Sequence, residues 1–118
     1  MASPKKESFT EHEQEIADFA KAISHPARVA ILSKLAESNM CICGEIVEVL
    51  PLSQSTVSQH LNELKKIGLV QGTIDGQKSC YCINWKTLNE KLDLLNSFTD
   101  KLKTLNTNSS KNINQNCC

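Results

Sequence analysis

The stretch Pro51-Leu-Ser-Gln-Ser-Thr-Val-Ser-Gln-His-Leu-Asn-Glu-Leu-Lys-Lys-Ile-Gly-Leu-Val70 decides how the rest of the chain is interpreted. It predicts a helix that begins after Ser53, a favoured N-cap residue, and stops at Gly68, a favoured residue just past a helix C-terminus. One side of this helix is an apolar stripe at helical spacing, made of Val57, Leu61, Leu64 and Ile67. The stripe indicates the side that faces a core.

The remaining face of this helix is polar and, over its first turns, uncharged. It carries Gln54, Ser55, Thr56, Ser58, Gln59 and His60. Such side chains can hydrogen-bond base edges or phosphates without filling the major groove of DNA. Solvated helix faces are usually charged instead, so the composition favours a DNA-recognition helix. The predicted DNA contacts are these six residues together with Ser53, Lys65 and Lys78.

The segment before the recognition helix predicts two helices separated by a break. Thr10 and Glu13 form a capping-box pattern, and apolar residues follow at helical spacing, so a first helix is expected over residues 11–24. The dipeptide His25-Pro26 interrupts this pattern. Pro26 suits the first position of a second helix, and His25 is expected to cap the junction.

A third helix is expected over residues 41–50, and only a short connection separates it from the recognition helix, as helix-turn-helix geometry requires. After the recognition helix, two β-prone runs, residues 69–74 and 77–83, flank Asp75-Gly76. An Asp-Gly dipeptide in this setting is a strong hairpin signal. A helix-turn-helix followed by a hairpin is a winged helix, so the predicted fold class is mainly α with a small β-hairpin.

A long amphipathic helix is predicted after Asn84, its expected N-cap. Its apolar stripe is longer than a domain of this size can cover by itself, which favours a homodimer built on this helix and the first one. The predicted interface residues are Ile16, Phe19, Leu88, Leu92, Leu95, Phe98 and Leu102. The domain is expected to span residues 11–105, between a flexible N-terminus (1–10) and a disordered, Asn/Ser-rich tail (106–118).

Composition limits the function classes. The 118 residues carry 13 basic and 13 acidic side chains, but residues 60–118 hold eight of the basic and five of the acidic ones. This asymmetry is a weak electrostatic footprint for nucleic acid. The sequence shows neither a bilayer-spanning apolar run nor a signal peptide, so a cytoplasmic protein without a membrane partner is expected. Because the sequence has no nucleotide-binding loop or zinc-protease motif, an enzyme is not expected.

Four ordered motifs resemble the ArsR/SmtB family of bacterial metal- and metalloid-responsive repressors. They are Ser24–Leu32, Met40–Glu45, Leu52–Leu61 and Leu64–Val70, and the resemblance covers about residues 12–105. It implies a homodimer without a constitutive cofactor. Such a dimer binds double-stranded operator DNA that overlaps a promoter, and leaves it when an inducer binds.

The resemblance also assigns a role to Cys41-Ile42-Cys43. This motif is similar to the Cys-x-Cys signature that arsenic- and heavy-metal-sensing members carry at the start of the third helix. Arsenite, antimonite and soft divalent metals such as cadmium and lead seek several thiolates. Residues i and i+2 of a helix point about 200° apart, so a shared ion would have to unwind the helix that abuts the recognition helix. The alternative is that both cysteines are small buried apolar residues.

The source of a third thiolate stays open. Cys117 and Cys118, at the end of the flexible tail, are candidates. Cys80 and Cys82 are candidates too, although they are expected to be surface or sheet residues of the wing, with Tyr81 between them facing inward. The alternatives to an arsenite sensor are a cadmium-, lead- or zinc-responsive repressor of the same fold, and a repressor that releases DNA when two cysteines oxidise.

Overall fold

A computed structural model describes residues 8–38, 41–43, 51–73 and 80–109. The helices are α1 (Glu11–Ala22), α2 (Pro26–Ser38), α3 (Gln54–Lys66) and α4 (Trp85–Ser109), and the strands are β1 (Ile42–Cys43), β2 (Val70–Thr73) and β3 (Cys80–Ile83). α3 is the predicted recognition helix, and β2 and β3 form the predicted wing. The predicted fold class, mainly α with a small hairpin, is confirmed.

The side chains that the sequence predicts as N-caps do cap the first two helices. In α1 the Glu13 amide donates to Thr10 Oγ1 at 3.1 Å, and the Thr10 amide donates to Glu13 Oε1 at 2.9 Å. At the start of α2 the Ala27 amide donates to His25 Nδ1 at 3.0 Å, which confirms His25 as the cap of the junction. Each bond satisfies an amide that has no partner inside its helix.

α3 begins and ends where its sequence predicts. The Thr56 amide donates to Ser53 Oγ at 3.3 Å. Gly68 follows the last turn with a φ of +82°, a conformation that glycine adopts without steric penalty. The Leu69 amide then donates to the Leu64 carbonyl at 3.0 Å, which is the bond that closes a Schellman motif.

The core lies between the helices and the inward face of the sheet. The apolar stripe of α3 supplies its centre, since Val57, Leu61 and Leu64 are at most 1% exposed. Tyr81 of β3 is 2% exposed and belongs to the same cluster, as predicted for the inward face of the wing. The other buried members are Phe19, Ala22, Ile31, Leu35, Leu69, Val70, Ile83 and Leu88. Because each such large side chain contributes roughly 1.5–3 kcal/mol, this cluster fixes α3 against the wing.

The sheet has the order β1-β3-β2, and both pairs are antiparallel. Gly72 of β2 lies opposite Tyr81 of β3. Its φ is +128°, and a Cβ at this position would overlap the Cys80 carbonyl oxygen. The close approach of β2 to β3 therefore requires glycine at this position.

The prediction of a helix over residues 41–50 is wrong at its start. Residues 42 and 43 form β1, with Ile42 opposite Tyr81 and Cys43 opposite Cys80. β3 offers a second edge that β2 does not use, and the half-buried Ile42 packs against the core beside it. The strand arises from this long-range pairing, which the local apolar spacing does not reveal.

α4 is longer than predicted. The Thr87 amide donates to Asn84 Oδ1 at 3.3 Å, which confirms Asn84 as the cap, and the helix continues to Ser109. Near its end, the hydroxyls of Thr104 and Thr107 donate to carbonyls one turn earlier, at 2.9 and 3.1 Å. Polar residues at the start of the predicted tail are thus helical.

Several predictions fall outside the described residues. They concern the N-terminus (1–7), most of the predicted third helix (44–50), the hairpin turn with Lys78 (74–79), and the tail beyond 109 with Cys117 and Cys118. Within the described part of the chain, no helix has the length and apolar character needed to cross a membrane.

The residues predicted for a dimer interface divide into two groups. Phe19 and Leu88 are 2% and 7% exposed, because α1 packs against α4 within one chain; their assignment to an intermolecular surface is corrected. Ile16 and Leu95 are half-buried. α4 also carries exposed apolar side chains, which we call the exposed apolar row: Leu92, Phe98, Leu102 and Leu105.

Candidate nucleic-acid interface and cysteine site

α3 presents part of its predicted polar face to solvent. Ser55 and Gln59 are exposed, whereas Gln54, Thr56 and Ser58 are half-buried. The other side of the helix is held in the core, so the exposed side chains sit on a rigid support. The exposed part of the face offers hydroxyl and amide groups, which can both donate and accept hydrogen bonds.

The hydroxyl groups at the start of α3 contact one another. Ser53 Oγ lies 3.1 Å from Ser55 Oγ and 2.9 Å from Thr56 Oγ1. Ser53 is therefore engaged in starting the helix and in orienting its neighbours. The first turn of α3 has no acidic side chain, so the partial positive charge of the helix N-terminus is available to a phosphate group.

His60 does not lie on the exposed face, which corrects its predicted placement. It is 9% exposed, its Nδ1 accepts from Arg28 Nε at 3.2 Å, and its ring centroid is 4.4 Å from that of His25. Arg28 Nη1 also donates to the carbonyls of Lys21 and Ala22, at 3.2 and 3.1 Å. Burial lowers the pKa of His60, and the charges of His25 and Arg28 lower it further. His60 thus ties α3 to the junction of α1 and α2.

The lysines at the end of α3 also make contacts within the chain. Lys65 Nζ donates to the Gly72 carbonyl at 2.7 Å, so it links α3 to the wing while remaining exposed. Lys66 Nζ and Glu63 Oε1 form an exposed ion pair at 3.1 Å. The hydrogen bond from Lys66 lowers the pKa of Glu63, but exposed pairs of this kind add little to stability.

The register of β1 with β3 brings the two Cys-x-Cys motifs together. Cys43 lies opposite Cys80. One step further along the same register, the Cys41 and Cys82 thiols share a hydrogen bond, which raises the pKa of Cys41. Both of these thiols are free; Cys41 is exposed and Cys82 is half-buried. The inducer-site candidate and the wing cysteines are therefore neighbours.

Cys80 is disulfide-bonded. A cysteine ligates a metal as a thiolate, so Cys80 can do so only after reduction. Among the side chains that the structure describes, no group of three or more His, Cys, Asp or Glu residues is arranged to hold a metal ion. The donor set near β1 and β3 is nevertheless sulfur-rich, and thiolates are the ligands that soft ions prefer.

Two features of the site were not found by sequence reasoning: the burial of His60 against Arg28 and the contact of Cys82 with Cys41. His60 follows Val57 by three residues and precedes Leu64 by four, so its spacing already placed it on the apolar stripe. The Arg28 contact bridges distant segments and has no local signal. For Cys82, the signal was the identical spacing of two Cys-x-Cys motifs in separate segments.

A core-anchored helix with an uncharged polar face, followed by an antiparallel hairpin, defines the class of winged-helix DNA-binding proteins. The model of the family described as "bacterial regulatory protein, arsR family" matches residues 25–71. That range runs from the cap of α2 through α3 into β2, and therefore includes the polar face of α3.

Two relatives and one solved structure agree with this class. An uncharacterised HTH-type transcriptional regulator of Methanocaldococcus jannaschii is 41% identical over 71 residues, which cover 59% of this chain and 79% of that protein. The arsenical resistance operon repressor of Staphylococcus xylosus is 32% identical over 87 residues, covering 71% of this chain and 83% of that protein. An ArsR-like transcriptional regulator from Rhodococcus sp. RHA1 has the same fold, with a TM-score of 0.64 at 23% identity over 92% of this chain and 100% of its own.

The chain belongs to the ArsR/SmtB family of transcriptional regulators. Its relatives are DNA-binding regulators, and so the protein is a regulator and not an enzyme.

Proposed function

We propose that the protein is a homodimeric repressor that holds operator DNA through α3 and releases it when arsenite or antimonite binds Cys41 and Cys43. The observation that carries the proposal is the exposed, uncharged polar face of α3, whose best-placed residues are Ser55 and Gln59. Family membership supports the DNA-binding role. The arsenical resistance relative supports the class of inducer.

Operator contact is assigned by position on α3. Ser55 and Gln59 are exposed and suited to base edges, where one well-made bidentate contact is worth about 1–3 kcal/mol of discrimination. The first-turn amides and Lys65 are suited to phosphates, which fix register without reading sequence. Lys78 of the wing is assigned to phosphate contact from its sequence position. His60 serves by positioning α3.

The exposed apolar row of α4 supports the homodimer. Its four side chains are 38–50% exposed, and several large exposed apolar side chains on one helix favour an interaction site. A second copy of the same helix covers it by two-fold symmetry. Dimerisation also sets two recognition helices one turn of DNA apart, about 34–36 Å.

We assign inducer binding to the Cys-x-Cys motif. The motif leads into the strand β1 and not into the helix that the sequence predicts. Residues i and i+2 of an extended strand share one face, so an ion shared by Cys41 and Cys43 needs no unwinding. Because β1 pairs with β3, an ion bound there acts on the wing. The route from inducer to α3 then runs through the sheet and the contact of Lys65 with Gly72.

A thiol-redox regulator is the second candidate, and one observation favours it. Cys80 is disulfide-bonded while Cys41 and Cys82 carry free, hydrogen-bonded thiols. Oxidation of two neighbouring thiols to a disulfide would link β1 to β3 covalently, with the electrons passing to a peroxide that is reduced to water and alcohol. In this case the oxidant, and not arsenite, releases the operator.

The test is a competition for release of labelled operator DNA from the reduced dimer. Arsenite, antimonite, cadmium, lead, zinc and a peroxide are titrated in parallel, and bound DNA is followed by fluorescence anisotropy at fixed ionic strength. The proposal predicts release by arsenite and antimonite at the lowest concentrations. Release by peroxide alone would contradict the proposal and support the redox candidate.

A further inference from the structure

The starting observation is the placement of four cysteines on one ladder. Cys43 pairs with Cys80 in the register of β1 and β3. The same register, continued by one residue, sets Cys41 against Cys82, and the two thiols share a hydrogen bond. Two Cys-x-Cys motifs from distant segments are thus matched residue against residue.

The alternation of the strands places these cysteines on one side of the sheet. Tyr81, between the two wing cysteines, is 2% exposed, and Ile42, between the other two, packs against the core. Since successive strand residues face opposite sides, the cysteine positions lie on the side away from the core. Cys41 and Cys80 are exposed and Cys82 is half-buried, so a solute ion can reach them.

We propose that Cys41, Cys43, Cys80 and Cys82 form a single thiolate site for a thiophilic ion, so that the wing supplies half of the inducer ligands. This inference rests on the proposed function, in which Cys41 and Cys43 bind the inducer. It removes the need for Cys117 and Cys118 as donors. It also goes beyond the sequence-based expectation, in which Cys80 and Cys82 were surface or sheet residues of the wing and only candidates for a third thiolate.

The distances of a sheet suit this assignment. Cβ atoms directly opposite in an antiparallel pair are about 4.5–5.5 Å apart. Two thiolate sulfurs bound to one ion with metal–sulfur bonds of about 2.3 Å in tetrahedral geometry are roughly 3.8 Å apart. The two cysteines of each cross-strand pair can therefore reach one ion by rotation about χ1. Bringing both pairs onto the same ion also requires the strands to adjust, because the pairs are about 6.6 Å apart along each strand.

In the reduced protein, the thiols give up their protons when they bind the ion. Arsenous acid, As(OH)3, condenses with three thiols to give three As–S bonds and three waters; a divalent cadmium ion displaces four thiol protons to give a tetrathiolate. The disulfide at Cys80 must first be reduced by a thiol reductant, whose own two thiols become a disulfide. Oxidation and ion binding therefore compete for the same sulfurs.

The site would act directly on the wing. β3 carries two of the proposed ligands and leads through Asn84 into α4, and its partner strand β2 accepts the hydrogen bond from Lys65 of α3 at Gly72. An ion that draws β1 and β3 together changes the strand that lies between the recognition helix and the long helix. The inducer thereby acts on the wing and, through the wing, on α3 and α4.

The experiment uses the reduced full chain and two matched double variants, Cys41→Ser/Cys43→Ser and Cys80→Ser/Cys82→Ser, with Cys117→Ser/Cys118→Ser as the control. Cadmium is titrated and the thiolate-to-cadmium charge-transfer absorbance is recorded; arsenite affinity is measured separately. The proposal predicts that each of the first two variants loses half of the absorbance. Arsenite affinity should also fall by more than about tenfold, or about 1.4 kcal/mol, while the control is unchanged.

Alkylation of the wild-type protein makes the test independent of folding. With cadmium bound, iodoacetamide should spare Cys41, Cys43, Cys80 and Cys82 and label the terminal pair. If Cys80 and Cys82 are labelled at the metal-free rate and their double variant binds normally, the four-thiolate site is wrong, but the proposed function stands on Cys41 and Cys43. If the Cys41/Cys43 variant also binds arsenite normally, both proposals fail.

Discussion

At the scale of single residues, Arg28 and His60 decide how α3 is held. Arg28 joins the last carbonyls of α1 to the ring of His60, and His60 stacks near His25, which caps α2. Three helices therefore meet at one small polar cluster at the edge of the apolar core, in which His60 is buried, Arg28 is half-buried and His25 is exposed. Because a buried polar group without its partner is costly, each member depends on the others.

The pH dependence of stability should report on His60. Its pKa is lowered in the folded protein, whereas the unfolded chain titrates near about 6.5, so the unfolded state binds more protons between the two values. The contribution of neutral His60 is thus fully present above about pH 6.5 and is lost as the pH falls towards the folded pKa. Urea unfolding at several pH values should show stability falling on acidification.

The matched variants are His60→Gln and His12→Gln, since His12 is exposed on α1. His60→Gln should be less stable at neutral pH and should flatten the acid limb of the curve, while His12→Gln should follow the wild type. Equal acid limbs in all three proteins would show that His60 is not the titrating group.

Operator reading should depend on the exposed polar residues of α3. We expect Ser55→Ala and Gln59→Ala each to weaken specific operator binding by about 1–3 kcal/mol. Their thermal stability should be unchanged, because both side chains are exposed. Anisotropy titrations against operator and scrambled DNA give the two affinities, and Ser33→Ala on the exposed side of α2 is the control. If the double variant still prefers operator over scrambled DNA as strongly as the wild type does, these residues of α3 do not recognise bases.

At the scale of elements, helix ends were predictable and β1 was not. Thr10 with Glu13, Ser53 with Thr56, and Asn84 with Thr87 act within one turn of chain, so a local pattern specifies them. β1 exists because the edge of β3 is open to it, and the residues that create this edge are about 40 positions away. The local sequence Cys-Ile-Cys does not indicate that a distant strand will pair with it.

Substitution of Gly72 should destabilise the wing. A side chain there combines an unfavourable φ of +128° with overlap onto the β3 backbone, and left-handed or more strained conformations cost on the order of 1–3 kcal/mol for other residues. Gly72→Ala should lower the melting temperature and weaken DNA binding. Thr73→Ala, at the exposed neighbouring position, should change neither. A thermal melt of Gly72→Ala that matches the wild type would mean that β2 pairs differently with β3.

At the scale of the whole molecule, the apolar stripe of α4 has a part that is packed on the core and a part that is exposed, and the sequence did not separate them. Leu88 and Leu95 pack on the core of their own chain, while the exposed apolar row of the same helix is not covered by the described part of the chain. Periodicity shows that a stripe is apolar, but it does not show how far the core of a small domain extends along it. For the same reason the sequence assigned Phe19 to an interface, although Phe19 is buried in the core of its own chain.

The exposed apolar row should set the oligomeric state. Phe98→Asp combined with Leu102→Asp places two charges where a second copy would bury them, and sedimentation at micromolar concentration should then show monomers. Because both residues are about half exposed, the monomer should keep its helical content. Ser97→Asp adds a charge beside the row and should remain dimeric. If the double variant stays dimeric, the interface lies elsewhere.

The arrangement of the cysteines could not be predicted from the sequence, and their role as inducer ligands stays a prediction. The expected helical geometry of the Cys-x-Cys motif was wrong, and the neighbouring position of the wing cysteines became evident only from the register of β1 with β3. Pairing across a sheet is a property of the whole fold, and so the third and fourth sulfurs could not be assigned from the local sequence.

The central claim is that the thiolates of Cys41 and Cys43 transmit the inducer signal to operator DNA. The most direct test titrates arsenite into the reduced dimer bound to labelled operator and compares the wild type with Cys41→Ser/Cys43→Ser. We predict equal operator affinity without arsenite, release of the wild type as arsenite rises, and no release of the variant over the same range. Release of the variant at the wild-type arsenite concentration would contradict the claim.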